Sequence, residues 1–131
     1  MKHFKLFLIS IISITAIIFT ISSCSPEPDI ELDQTLLYGK WQEFNNATGN
    51  TLNFEVYKSD GTGYTWDEAD DVTEAEAQPF TWTLEGDALT HIHIMEMGAS
   101  IPKVYTITKL TATELTYEDD FGKKHTFSKI H

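Results

Sequence analysis

From residue 36 onward the chain is a succession of short runs in which apolar and polar residues alternate, each closed by turn-forming residues. Successive side chains on a strand point to opposite faces, so alternation with period two predicts strands. In residues 51–58, Leu52, Phe54 and Val56 face one way and Asn53 and Glu55 the other; in 80–84, Phe80, Trp82 and Leu84 alternate with Thr81 and Thr83. The two apolar trios are expected to share one interior. Similar runs at 38–44, 62–66, 89–95, 104–110, 114–118 and 124–130 bring the expected total to eight strands. Asp60-Gly61 is a strong hairpin signal, and Glu85-Gly86-Asp87 and Asp119-Asp120-Phe121-Gly122 are further turns. Residues 67–78 break the pattern. Thr73 followed by Glu76 reads as a capping box opening a short helix that Pro79 stops, so this acidic insert is expected as a lid or loop at one mouth of the sheet.

The first residues follow other rules. Lys2 and Lys5 precede an uncharged run, 6–21, rich in Ile, Leu and Phe. A basic start followed by an apolar stretch is the layout of a secretory signal. As a helix the run would reach roughly 24 Å at about 1.5 Å per residue, short of the roughly 30 Å hydrocarbon core, so cleavage is expected over a retained span. Ile21-Ser22-Ser23-Cys24 resembles the lipobox of bacterial lipoproteins, with Ile21 where Leu is commoner. The resemblance implies a signal peptide over 1–23, acylation (palmitate among the chains) at Cys24, and a mature protein anchored in the outer membrane, on its periplasmic face or at the cell surface. Residues 24–35 form an acidic tether with Pro26 and Pro28 and the acids Glu27, Asp29, Glu31 and Asp33, a composition that keeps a chain extended. Acids just after the cysteine resemble the surface-export signal of Bacteroidota lipoproteins, and Ser25 does not resemble an inner-membrane retention signal. The third segment, 36–131, is the domain.

Charge and cysteine content exclude several classes. Cys24 is the single cysteine, which rules out an internal disulfide framework and a thiolate zinc cluster. The formal charge is −11, and loss of the leader, with two lysines and no acid, takes it to −13. Such a surface repels nucleic acid, whose affinity for proteins comes largely from Lys and Arg contacts to phosphate. There is no arginine, the residue favoured for bidentate grip on phosphate or carboxylate.

Eight short antiparallel strands suit a sandwich or a closed up-and-down barrel. Gly39-Lys40-Trp41 matches the G-x-W pattern that lipocalins carry on the first strand, the tryptophan plugging the barrel base. Together with residues 37–41, 60–63 and 80–90, it makes residues 36–130 similar to the small lipocalin-like lipoproteins of Bacteroidota. The resemblance implies an all-β, eight-stranded antiparallel up-and-down barrel with a short acidic helical insert, Trp41 at the closed end, and a binding rather than catalytic role. Lipocalins pair that tryptophan with an arginine near the last strand; here Lys129 or Lys124 would stand in. A barrel of this size either holds one small ligand or is filled by its own side chains.

Candidate chemistry is sparse. His91 and His93 lie two apart on one strand face, with His125 a third partner, but Ile92 and Ile94 read as the buried side and the histidines as the wet one, so no metal is expected. No G-x-S-x-G, H-E-x-x-H or glycine-rich phosphate loop occurs, and the carboxylates of 67–78 lack the glycine and spacing of a calcium hand. No enzyme activity and no cofactor are expected. The rings Trp41, Phe54, Tyr64, Trp66, Phe80, Trp82 and Tyr105, with Val56, are the candidate lining of an apolar pocket. The leading expectation is a lipid-anchored binding protein for a small apolar or amphipathic molecule; the alternative is a filled barrel that binds another envelope protein or a glycan.

Overall fold

The computed structural model describes residues 30–44 and 53–131. The signal segment, Cys24, most of the tether, Leu52 and the turn after the first strand lie outside the described residues. Eight strands, β1 (Gly39–Glu43), β2 (Asn53–Tyr57), β3 (Thr62–Asp67), β4 (Gln78–Glu85), β5 (Ala88–Ile94), β6 (Ser100–Leu110), β7 (Glu114–Glu118) and β8 (Lys124–Ile130), form a closed antiparallel barrel in sequence order. β8 returns to β1, with Trp41 opposite Lys129, so every strand is paired on both sides. Closure removes the exposed edges that would otherwise template aggregation.

Turn chemistry acts as the sequence predicts. Gly61 sits at φ 81°, a left-handed conformation open to glycine, and Trp82 donates its backbone N–H to the Gly61 carbonyl at 2.9 Å. β4 and β6 begin earlier than the alternation predicts, at Gln78 and Ser100, and each takes in a proline, Pro79 and Pro102. Thr108 is bulged between Ile107 and Lys109.

Connections alternate between two ends. The β2–β3, β4–β5 and β6–β7 turns and a short 3₁₀ turn, Gln34–Leu37, form one end, and this end is shut. Leu37 and Trp41 are fully buried there, and Trp41 Nε1 donates to the Leu37 carbonyl at 2.7 Å. Lys129 Nζ donates to the carbonyls of Leu36 and Tyr38, both at 2.8 Å, and lies 4.7 Å from the Trp41 ring centroid. Of the two lysines considered for the missing arginine, Lys129 is the one that occupies the place. Above this plug, Leu89, Leu115, Phe127, Phe80 and Trp82 fill the barrel.

Residues 67–77 fold as two single 3₁₀ turns, Glu68–Asp70 and Glu74–Glu76, in place of the expected helix. The Glu76 carboxylate does accept from the Thr73 backbone N–H at 3.2 Å. The segment leaves and rejoins the barrel at the open end but folds back along the outer wall, where Glu74 accepts from Lys40 Nζ at 2.6 Å and Tyr64 OH at 3.1 Å.

Facing is where the sequence reading of β2 reverses. Tyr117 OH on β7 reaches Glu55 on β2, and His91 on β5 reaches Tyr57 on β2; none of these strands are neighbours, so the contacts cross the interior. Glu55 and Tyr57 therefore point inward, and Phe54 and Val56 outward. Phe54 stacks on Trp66 at 4.8 Å, with Val56 and Trp66 buried beside it and Tyr64, Val72 and Ala77 packed around. A second, outer apolar cluster thus exists under residues 67–77. The physical reason is that both faces of β2 are covered, so alternation identifies two faces without saying which is inside.

Candidate functional site: the open mouth of the barrel

The interior changes character toward the other end. A cavity of about 400 Å³, open to solvent, is walled by Asn53, Glu55, Thr65, His91, Tyr105 and Tyr117, with His93, Lys103, His125, Asp119, Asp120, Phe121 and Val104 toward its mouth. Its floor is a hydrogen-bonded polar cluster. Tyr57 OH donates to Glu55 Oε2 at 2.5 Å and Tyr117 OH donates to Oε1 at 2.8 Å. The Tyr57 oxygen lies 2.8 Å from His91 Nε2. With the Tyr57 proton committed to an ionised Glu55, a neutral His91 must donate through Nε2–H.

Burial sets the acidity of these groups. Glu55 is 6% exposed. Desolvation pushes its carboxyl up to about 7, against the tyrosine hydrogen bonds that favour the anion. His91, 1% exposed, is driven down to about 3 by desolvation, aided by the nearby His93 and Lys103. His93 is lowered for the same first reason, then by Lys103. Tyr57 and Tyr117 are raised well above the usual phenol value and Tyr105 is raised to about 12, in each case by desolvation first and then by the Glu55 charge. At neutral pH the floor holds neutral phenols, neutral imidazoles and one carboxyl poised to gain or lose a proton.

The rim is tied by a second network. His125 Nδ1 lies 2.7 Å from Glu43 Oε1, its Nε2 lies 3.4 Å from Asp119 Oδ2, and Asn53 Nδ2 donates to Glu43 Oε2 at 2.9 Å. Asp119 Oδ1 accepts the backbone N–H groups of Phe121 and Lys123, both at 2.9 Å, which fixes the β7–β8 turn.

The sequence-derived candidates divide by this geometry. Trp41, Phe80, Trp82 and Tyr105 belong to the interior, and Tyr105 alone among them walls the cavity; Trp41, Phe80 and Trp82 are packed beneath it. Phe54, Val56, Trp66 and Tyr64 form the outer cluster. The histidine face, expected to be the wet one, is the interior: His91 is buried and Ile94 is 59% exposed. Among the described residues, no group of three or more His, Cys, Asp or Glu side chains is arranged to hold a metal ion. Asn53, Glu55, Tyr57, Thr65, Lys103 and Tyr117 are not marked by the strand patterns of the sequence. One signal for them was available: Trp41 is opposite Glu55 across β1 and β2, so an inward Trp41 requires an inward Glu55.

A further open groove of about 470 Å³ runs along the outer wall between β3, β4 and residues 74–77, touching Lys58, Tyr64, Glu74, Pro79 and Ile94. It holds no buried titratable group. The mouth cavity is the better candidate because it reaches the barrel interior and ends on one.

A closed eight-stranded barrel, plugged at one end by a tryptophan and open at the other onto a cavity, defines a class of small binding proteins. The family model of the lipocalin-like domain matches residues 31–117. The chain belongs to the lipocalin-like domain family. The match stops before β8, the strand that supplies Lys129, Phe127 and His125. No curated protein and no solved structure matches the chain.

Proposed function

We propose that this is a lipid-anchored envelope protein, attached through Cys24, whose barrel binds one small amphipathic molecule through its open mouth. The observation that carries the reading is the cavity of about 400 Å³ ending on the Glu55–Tyr57–His91–Tyr117 cluster. That volume falls within the roughly 300–1,000 Å³ of small-molecule sites, which combine apolar walls with a few convergent polar groups. The ligand's apolar part meets Tyr105 and Phe121, and its polar end the floor. The apolar cluster of Phe54, Trp66 and Tyr64 plays no part, because it lies outside the barrel.

Titration with the neutral fluorescent probe N-phenyl-1-naphthylamine tests this. Saturable binding is expected in the wild type and strong loss in Thr65→Trp, whose indole takes up the cavity space beside Glu55. Absence of saturable binding, or binding undiminished by Thr65→Trp, would overturn it. In that event the second reading stands, an interaction module for another envelope protein or a glycan. It draws on the exposed apolar residues of the open end, Met97 and Phe121 each at 95% exposure.

A further inference from the structure

The walls of the mouth cavity are unequal in charge. Glu55, Asp119 and Asp120 bring three carboxyl groups to it, against one lysine, Lys103. His91 and His93 contribute no positive charge near neutrality, and His125 is engaged with Glu43 and Asp119. Glu55 is the deepest of the three carboxyls. Each of its oxygens has one phenol donor and spare acceptor capacity. Among the described residues, no lysine or histidine nitrogen lies within 4.0 Å of its carboxylate. A desolvated carboxylate without a cation is costly. Beside it the rings of Tyr105 and Tyr117 lie 4.5 Å apart at an interplanar angle of 41°, and such ring faces attract cations.

We propose that the cavity takes a small organic cation, an amphipathic amine whose ammonium group pairs with Glu55 beside the Tyr105 and Tyr117 rings while its apolar part extends toward Phe121 at the mouth. This rests on the ligand-binding reading above and specifies the ligand's charge. The overall charge of the protein, −11, favours approach of a cation over an anion. A bound ammonium stabilises ionised Glu55, so binding near neutral pH displaces the proton that burial otherwise retains there. The charged and titratable groups facing Glu55 are Glu43 on β1, Tyr57 on its own strand, His91 and His93 on β5, Lys103 and Tyr105 on β6, Tyr117 on β7, Asp119 and Asp120 in the following turn and His125 on β8. β3 and β4 present Thr65, Phe80 and Trp82, which do not titrate.

Calorimetric titration of the full chain with 2-phenylethylamine, 2-phenylethanol and phenylacetate compares three head groups on nearly the same apolar body. At pH 8 the amine is expected to bind at least tenfold more tightly than the alcohol or the acid. Its affinity should fall about tenfold by pH 5.5, and near pH 7 it should release a proton, seen as a heat that varies with the buffer's ionisation enthalpy. Glu55→Gln should bring amine and alcohol to equal affinity; if that variant does not fold, the wild-type pH profile carries the same test. Alcohol or acid binding as tightly as the amine, or an amine affinity independent of pH, would overturn the cation assignment. Saturable binding of N-phenyl-1-naphthylamine that the amine fails to displace would also overturn it while leaving the ligand-binding reading standing. Failure of dye and all three probes to bind would remove both.

Discussion

Glu55 and His91 share the hydroxyl of Tyr57, yet burial acts on them in opposite senses. Glu55 holds its proton up to about 7 in the folded chain against 4.5 ordinarily, so between those values the folded state binds a proton that the unfolded chain lacks. Stability therefore falls as pH rises through that window and is level above it. His91 refuses its proton down to about 3 against 6.5 ordinarily, so there the unfolded chain binds the extra proton and stability rises with pH. Each slope is about 1.4 kcal/mol per pH unit for one proton, and from 4.5 to 6.5 the two oppose each other. Urea unfolding at half-unit pH steps should separate them. Glu55→Gln should gain stability as pH climbs from 4.5 to 6.5, with His93 adding in the same direction. His91→Gln should lose stability as pH climbs from 4.5 to 7, to the extent that His93 does not offset it. Parallel profiles in the two variants would show that the carboxyl and the imidazole are not buried in these states.

At the scale of strands, Gly63 of β3 leaves less room for a side chain than any other described glycine. A Cβ there would collide with the Val56 carbonyl oxygen and stand 2.6 Å from Phe80 Cε2, a backbone atom and a fully packed ring. Gly63→Ala should destabilise by roughly 1–3 kcal/mol, the usual cost of overpacking, read as a lower urea midpoint; an unchanged midpoint would mean that β2 and β4 part easily. Strand existence was legible in the sequence because turn signals such as Asp60-Gly61 and Glu85-Gly86-Asp87 punctuate it. Facing was legible for β4, where threonines alternate with Phe80, Trp82 and Leu84. It was not for β2 and β5. Residues 67–77 cover the outer face of β2, giving Phe54 and Val56 an apolar shelter of their own, while Ile92 and Ile94 made the outward face of β5 look like the core. The site was the least legible part, because its inward residues are polar and only a register across strands marks them as interior. Glu55 flanked by Phe54 and Val56 reads as a solvated residue until it is seen opposite Trp41.

On the scale of the whole molecule, the barrel divides into a packed lower half and an open upper half, and the N-terminal segment arrives at the packed half. Gly86, in the β4–β5 turn, lies against the Ile30 carbonyl, with a Cβ built there only 3.4 Å from it. The proposed anchor is tested by Cys24→Ala, which should release the protein from membranes or leave an unprocessed precursor, read by detergent phase partitioning and intact mass. A mature, membrane-bound Cys24→Ala protein would defeat it. If the anchor holds, the barrel is joined to it on its packed side, where Ile30 meets the β4–β5 turn. Like a goblet on its stem, the protein would be fastened below its base, with the rim at the opposite end of the bowl from the stem. With the stem drawn straight, cargo would be collected from the aqueous side and handed on there, and a molecule leaving the lipid leaflet directly beneath would have to travel around the outside of the wall to get in.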